Sequence, residues 1–332
     1  MRIGKVKSMP YPATPHATVR QILNGPNTKE KLSEFEGRRD KDRTTAKNHL
    51  LDIANFIAIR ASQYKSVLVV TQKEFEDSLK SIGLSGNVEI AHFNSTRGID
   101  RWRGVEYVLV IGRTLPGPEA AEALAEALTG RPATAHPRPW YVGGRHPDAS
   151  TEAARWSVCE AELVQVIGRG RAINRSTDNP VLIEVLNDVP LPIPVNETVA
   201  WAVPSRLDVM TSRGVILENN ADRARCFPDL WRNEQQAKRD AERTGTFSYK
   251  ASLYIGVCTR PRLTVRYQPP GRGQRSRTAQ FDTTLIPAPE SWLASRLGAL
   301  AMFEIVAATT TEDTTSRSDG EPTMALPESA GS

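Results

Sequence analysis

From Thr44 onward, apolar residues recur first at helical and then at strand spacing, and the two patterns alternate. Leu50, Ile53, Ala54, Ile57 and Ala58 fall three and four apart, which predicts a helix with one apolar face to about Ser62. Ser66 to Thr71 is a continuous branched run of strand length, as expected of a parallel strand buried on both faces. Gln72 to Ile82 predict a second helix, with Phe75 and Leu79 four apart and Gly83 near its end. Strands follow at Asn87 to Phe93 and Tyr107 to Gly112, then a helix at Pro118 to Leu128 with proline at its start and Gly130 beyond its end. A Pro/Gly/Arg-rich loop over 131–150 leads to a helix from about Thr151 to Ile167, and Val181 to Leu186 form another strand. This alternation specifies an α/β fold, a mostly parallel sheet with helices on both faces, whose ligands gather at the carboxyl ends of strands.

The flanks read differently. Prolines at 10, 12, 15 and 26 break the pattern before Thr44, so residues 1–43 are expected to be an irregular linker with a short helix at His16 to Leu23. The α/β domain occupies 44–195, and Pro190, Pro192 and Pro194 mark its end. Residues 196–306 predict a smaller α+β extension. Its expected helices are Glu197 to Val203, Pro228 to Arg243 and Glu290 to Val306, and its expected strands Ser252 to Val257 and Arg262 to Tyr267. In the latter strand Leu263, Val265 and Tyr267 share one face and Arg262, Thr264 and Arg266 the other, with Thr278 to Phe281 returning after a turn. The Thr/Ser/Glu/Pro-rich tail, 307–332, cannot bury enough apolar surface to order itself.

Charge changes this picture locally. The net charge is only +5, but Lys250 to Gln280 contain seven cations, Arg262, Arg266 and Arg272 among them, and no acid. With Tyr254 and Tyr267 interleaved, this segment suits phosphate contacts and base stacking, or else is a solvated basic loop. Three widely separated cysteines match neither a disulfide framework nor a zinc site, and no secretory signal or membrane-length apolar run occurs, so a cytoplasmic protein is expected. A second concentration of charge is Gln165-Val166-Ile167-Gly168-Arg169-Gly170-Arg171-Ala172-Ile173-Asn174-Arg175. Arginines crowded at a helix end call for a nearby anion, for which the planar guanidinium is well suited, unless they only complement the helix dipole.

Three segments line up in order on the expected sheet: Val70-Thr71-Gln72-Lys73, Asn94-Ser95-Thr96-Arg97-Gly98-Ile99-Asp100, and the arginine run. Together they resemble motifs IV, V and VI of the second RecA-like domain of superfamily-2 helicases, and most nearly the helicase-like halves of bacterial and phage primase/helicase replication proteins. The resemblance covers roughly 15–195, with a fainter likeness through Pro228-Asp229-Leu230-Trp231 and Val265-Arg266-Tyr267. It implies that Gln165, Arg169 and Arg171 serve an arginine-finger motif, with Arg169 as the finger. Gly98, Asp100, Gly168 and Arg175 would then lie near the nucleotide. Thr71, Gln72, Lys73, Asn94, Thr96 and Arg97 would meet nucleic acid. The family's second arginine falls at Ala172 here, which leaves Arg171 or Arg175 to replace it. Each of these side chains also has an ordinary alternative, because T-Q-K after a strand is equally a helix start and Asn-Ser-Thr equally a turn.

The chain contains neither G-x-x-x-x-G-K-[ST] nor an acidic Mg2+ tetrad. It therefore reads as the back half of an ATP-dependent DNA helicase, using ATP and Mg2+ only with a partner N-terminal ATPase domain and inactive alone. The alternative is a non-catalytic replication accessory protein that binds DNA or RNA and keeps the fold.

Overall fold

The computed structural model describes residues 14–32, 40–96, 98–133, 145–244 and 262–309. The chain divides into two compact units, Met1–Pro204 and Ser205–Ser332. The first contains a six-stranded sheet of β1 (Ala17–Leu23), β2 (Val67–Thr71), β3 (Val88–His92), β4 (Tyr107–Ile111), β5 (Val181–Leu186) and β6 (Glu197–Ala200). Its order is β3-β2-β4-β5-β1-β6 and every pairing is parallel. Every residue of β2 and β4 is buried, as their unbroken apolar runs predict.

Helices α1 (Lys29–Leu32), α2 (Asp40–Gln63), α3 (Lys73–Ile82), α4 (Pro118–Thr129), α5 (Ala149–Val158) and α6 (Glu160–Ile167) flank this sheet. Leu163, Val166 and Ile167 of α6 pack with Leu68, Val70, Val108, Val110, Ile183 and Val185 of the strands. The alternate residues Val67, Val69, Tyr107 and Leu109 are buried too, on the side where Arg60 of α2 reaches Glu184. Glycines end α3 and α4 as expected: Gly83 and Gly130 adopt φ of 78° and 66°, and their N–H groups return to Lys80 and Glu126 carbonyls.

Three expectations for this unit are corrected. Residues 17–23 are neither irregular nor helical but form β1, an inner strand between β5 and β6, so the first domain begins before residue 44. The polar residues that disguise β1 are satisfied by distant partners: Arg20 pairs with Glu184 and Glu197 at 2.7 Å each, and the Gln21 amide donates to Asn187 and Val189 carbonyls. Residues 197–200 are likewise a strand, β6, parallel to β1, which moves the boundary from residue 195 to Pro204. The helix expected over 151–167 is two, broken at Cys159 (φ −95°, ψ −74°), and Asp148 caps the first by accepting from the Thr151 N–H at 2.8 Å.

The second unit contains α7 (Arg206–Ser212), β7 (Val215–Leu217), α8 (Asn220–Cys226), α9 (Glu234–Thr244), β8 (Arg262–Gln268), β9 (Arg277–Phe281), α10 (Pro289–Leu297) and β10 (Met302–Thr309). Its antiparallel sheet has the order β10-β8-β9-β7, over a core that includes Trp231, Val265, Tyr267, Phe281 and Leu293. The predicted hairpin is present, with Leu263 opposite Phe281 and Tyr267 opposite Arg277. The final helix stops at Leu297, with Gly298 beyond it at φ 92°, and 302–309 pair with β8 as a strand instead of continuing the helix. Residues 228–233 precede α9 as turns and are not its first helical turn. The strand expected at 252–257 and the tail beyond Thr309 lie outside the described residues. No helix among the described residues is long and apolar enough to cross a membrane.

Candidate functional site

β3 and β4 are parallel but are joined without a helix, by residues 93–106 crossing from the carboxyl end of one strand to the amino end of the other. Phe93, Trp102 and Val105 anchor this crossover in the core. Its first turn is stabilised by Ser95, whose hydroxyl donates to the His92 carbonyl at 2.6 Å. Asn94 adopts φ 66°, a conformation asparagine tolerates, and its N–H donates to the Glu162 carboxylate at 2.7 Å. Thr96 is fully buried and its hydroxyl oxygen has no hydrogen-bond partner among the described residues. Arg97 lies outside the described residues.

The arginine run meets this crossover directly. α6 ends at Ile167, and two short 3-10 turns, Gly168–Gly170 and Ala172–Asn174, are joined at Arg171, which adopts φ 50°. Arg169 is half-buried, donates from Nη1 to the Ile99 carbonyl at 3.3 Å, and leaves its buried Nε without a partner among the described residues. Arg171 forms an ion pair with Asp100 while both remain accessible, at 41% and 58% side-chain exposure. Such an exposed pair contributes about 0–1 kcal/mol, so an incoming anion can exchange it at little cost. Gln165 is exposed, and Gly168 ends α6 with open space around it. The segments 94–100 and 165–171, expected to act together, are therefore adjacent.

Arg175 is different. Its guanidinium is buried and donates to the carbonyls of Gly170 at 2.8 Å and Val105 at 2.7 Å, and to the Asn179 side chain at 2.8 Å. Burial, only partly offset by the nearby Glu106 carboxylate, holds its pKa below the usual arginine value. The nucleotide contact expected of Arg175 is replaced by a structural one that ties the run to the end of the crossover, and Arg171 is left as the accessible neighbour of Arg169. Gly98 adopts φ 72° with nothing near its would-be Cβ, a left-handed turn that glycine makes without strain. Close approach belongs to Gly170, where a Cβ would meet Ile183 Cδ1 at 3.2 Å.

The segment after β2 opens α3. Thr71 is buried in the sheet with its hydroxyl 3.5 Å from the Ile111 carbonyl. Gln72 stands at the start of α3 and donates to the Arg113 carbonyl at 3.0 Å. Lys73 is exposed beside Glu76 and Asp77, at 3.9 Å from each.

The basic hairpin is also reduced. Arg262 is buried, Arg266 pairs across strands with Glu304 at 3.3 Å, and Arg277 pairs with the buried Asp222. Tyr267 is buried and donates to Asp222 at 2.6 Å, so it is no stacking platform. Arg272 remains exposed on the turn, whereas Tyr254, Lys250 and Arg260 lie outside the described residues.

Sequence reasoning missed Glu162, which is 1% exposed and holds the turn at Asn94. The available signal was an acid on the same helical face as Leu163 and Val166, where an unpaired carboxylate would be costly. Also missed was a second buried cluster beyond β4, in which Arg155 bridges Glu152 at 2.7 Å and Glu160 at 3.0 Å. No group of three or more His, Cys, Asp or Glu disposed to hold a metal occurs among the described residues. No family model, curated protein or solved structure matches the chain.

Proposed function

We propose that the first unit is the second RecA-like half of a cytoplasmic, ATP-dependent DNA helicase-like protein. It acts with an N-terminal ATPase domain that carries the phosphate-cradling loop and the Mg2+ site. The observation that supports this reading is the meeting of two segments about seventy residues apart: Arg169 bonds the Ile99 carbonyl and Arg171 pairs with Asp100. In the helicase reading, one segment supplies cations to the transferring phosphoryl group and the other couples them to nucleic acid. Arg169, with a donor unspent, is the finger. Arg171, released from Asp100, is the second cation.

A second reading is favoured by Ala172 at the usual second-arginine position and by the commitment of Arg175 to carbonyls. It is a non-catalytic nucleic-acid-binding accessory protein. ATP turnover separates the two. The chain alone is expected to show no nucleic-acid-stimulated hydrolysis. A P-loop ATPase domain that co-purifies with it is expected to gain DNA-stimulated turnover when the chain is added, and Arg169→Ala should lower this by about a thousandfold at unchanged stability. Turnover by the chain alone that Arg169→Ala abolishes, or a reconstituted activity indifferent to Arg169→Ala, overturns the motor reading.

A further inference from the structure

The second unit contains an open polar cavity of about 470 Å³, lined largely by exposed side chains, that none of the expected contacts uses. Arg206, Arg232 and Arg239 line it, together with Asp229 and the amide side chains of Asn233 and Gln236. Of the acids around it, Asp229 and Asp240 are already engaged, and Glu234 stands exposed in the first turn of α9. Asp229 pairs with Arg213 at 2.7 Å, while Asp240 accepts from Arg206 at 2.6 Å and from the buried Trp231 indole at 2.9 Å. Arg232 and Arg239 have no acidic partner among the described residues, so the cavity carries two uncompensated guanidinium groups.

Local geometry holds these groups around one space. Asn233 caps α9, its side-chain oxygen accepting from the Gln236 N–H at 3.0 Å, and the Gln236 side-chain oxygen in turn accepts from the Arg232 N–H at 2.9 Å. The first turn of α9 thus lines the cavity and adds the positive end of its dipole to the two arginines. Trp231 and Ala237 are buried on either side of this turn, which fixes it to the core. The lining has one apolar residue, Leu230, and no aromatic ring, so it offers donors for oxyanions but no surface for stacking a base.

We infer that this cavity is a phosphate-binding site in which Arg232 and Arg239 clamp the oxyanion, Asn233 and Gln236 add amide donors, and Arg206 stays tied to Asp240. The phosphate comes either from the backbone of a single-stranded nucleic acid or from a free phosphorylated small molecule. The inference does not rest on the role proposed for Arg169, which lies in the other unit.

The test uses the full chain and an Arg232→Ala/Arg239→Ala variant, with Lys238→Ala as a control. Lys238 lies on the same helix, does not line the cavity, and is 4.0 Å from Glu242. Circular dichroism and thermal unfolding verify that each variant folds. One arm measures anisotropy of a fluorescein-labelled oligothymidylate against salt. Each single-strand phosphate contact contributes a slope of about 0.7 in log K against log salt, so losing two should lower the slope by about 1.4. The affinity loss near 50 mM salt is then about tenfold per arginine, relative to the high-salt limit. The other arm measures thermal stabilisation by pyrophosphate.

Loss of oligothymidylate affinity and slope in the double variant, with Lys238→Ala near wild type, supports the site with a nucleic-acid backbone as its ligand. Stabilisation by pyrophosphate that only the double variant loses, without oligothymidylate binding, supports it with a free phosphate. Equal losses in the double variant and Lys238→Ala would reduce the cavity to a diffuse basic face. That result, or no dependence of either probe on Arg232 and Arg239, overturns the inference.

Discussion

Replacing Arg175 with methionine separates a structural arginine from a nucleotide-binding one. The side chain is 7% exposed and donates to two carbonyls and one amide oxygen. Methionine fills much of the same space but donates nothing. Asn179 is exposed and can turn to water, so the loss falls on the Gly170 and Val105 carbonyls. Hydrogen bonds from a charged donor contribute about 1.5–3 kcal/mol each, which makes the gross loss about 3–6 kcal/mol. Against this, methionine relieves the desolvation that depresses the arginine pKa. A net destabilisation of about 2–3 kcal/mol is expected, read as a shift of roughly 1 M in the urea midpoint. Arg175→Lys should recover only part of it, because an ammonium cannot reproduce the planar fork that spans both carbonyls. A midpoint unchanged within about 0.5 kcal/mol, combined with loss of ATP-linked activity in the reconstituted assay, would refute the structural assignment.

Two further outcomes follow from buried charge. Glu184 is fully buried and accepts from Arg20, Arg60 and Tyr107, so Glu184→Ala strands the buried Arg60 guanidinium and should cost about 3–5 kcal/mol in urea unfolding. Replacing Glu184 and Arg60 together by leucine and methionine should cost less than Glu184→Ala alone, and a larger loss in the double variant would show that the pair itself is strongly stabilising. In the second unit, burial and then the nearby Asp222 push the Cys226 thiol up to about 12, from 9.0 for an ordinary thiol. Burial and the hydrogen bond to Asp222 raise the Tyr267 phenol in the same direction. The folded state therefore holds protons that the unfolded chain releases. The stabilisation from Cys226 is complete below pH 9 and falls as pH rises from 9 toward 12, that from Tyr267 begins to fall only above pH 10, and each loss is up to about 1.4 kcal/mol per pH unit. Guanidinium midpoints at pH 8, 9.5 and 10.5 should decline in that order, and a flat profile would contradict it.

The strands that the sequence reveals and those it hides differ in how their polar atoms are satisfied. β2 and β4 are legible because both faces are buried in apolar contacts, so their side chains are continuously branched or aromatic. β1 is just as much an inner strand, but Arg20 and Gln21 occupy its middle, and both are satisfied by residues more than 150 positions away. No local pattern encodes such partners. β6 is an edge strand of four residues with alternating partial exposure, too short to separate from a helical turn by periodicity. The adjacency of 94–100 and 165–171 was legible from the order of segments, whereas the fate of each arginine was not. Arg169, Arg171 and Arg175 are the same residue type within seven positions, yet only Arg175 is buried, while Arg169 reaches a carbonyl and Arg171 a carboxylate.

Those roles form a sequence of causes. Gly170 lets the chain pass close to Ile183 and Val108, where a Cβ would approach within 3.2 Å and 3.5 Å, and Arg175 then fastens the carbonyl of Gly170 and that of Val105 at once. With the run fixed on both sides, Arg171 is held at φ 50°, a conformation uncommon for arginine, and its side chain meets Asp100. Backbone strain of this kind costs about 1–3 kcal/mol and persists only where the surroundings over-determine it. Here Gly170 and Arg175 are those surroundings. Arg171→Gly should therefore stabilise the fold slightly or leave it unchanged, since glycine adopts positive φ freely and only an exposed ion pair is lost. Gly170→Ala should destabilise it by forcing Ile183 to shift. A stabilised Arg171→Gly variant that loses ATP-linked activity in the reconstituted assay would show that the strain is retained for the cation at position 171. If the same variant is destabilised by more than about 1 kcal/mol, the Arg171–Asp100 contact is itself a structural element and Arg171 is not free to meet a phosphate.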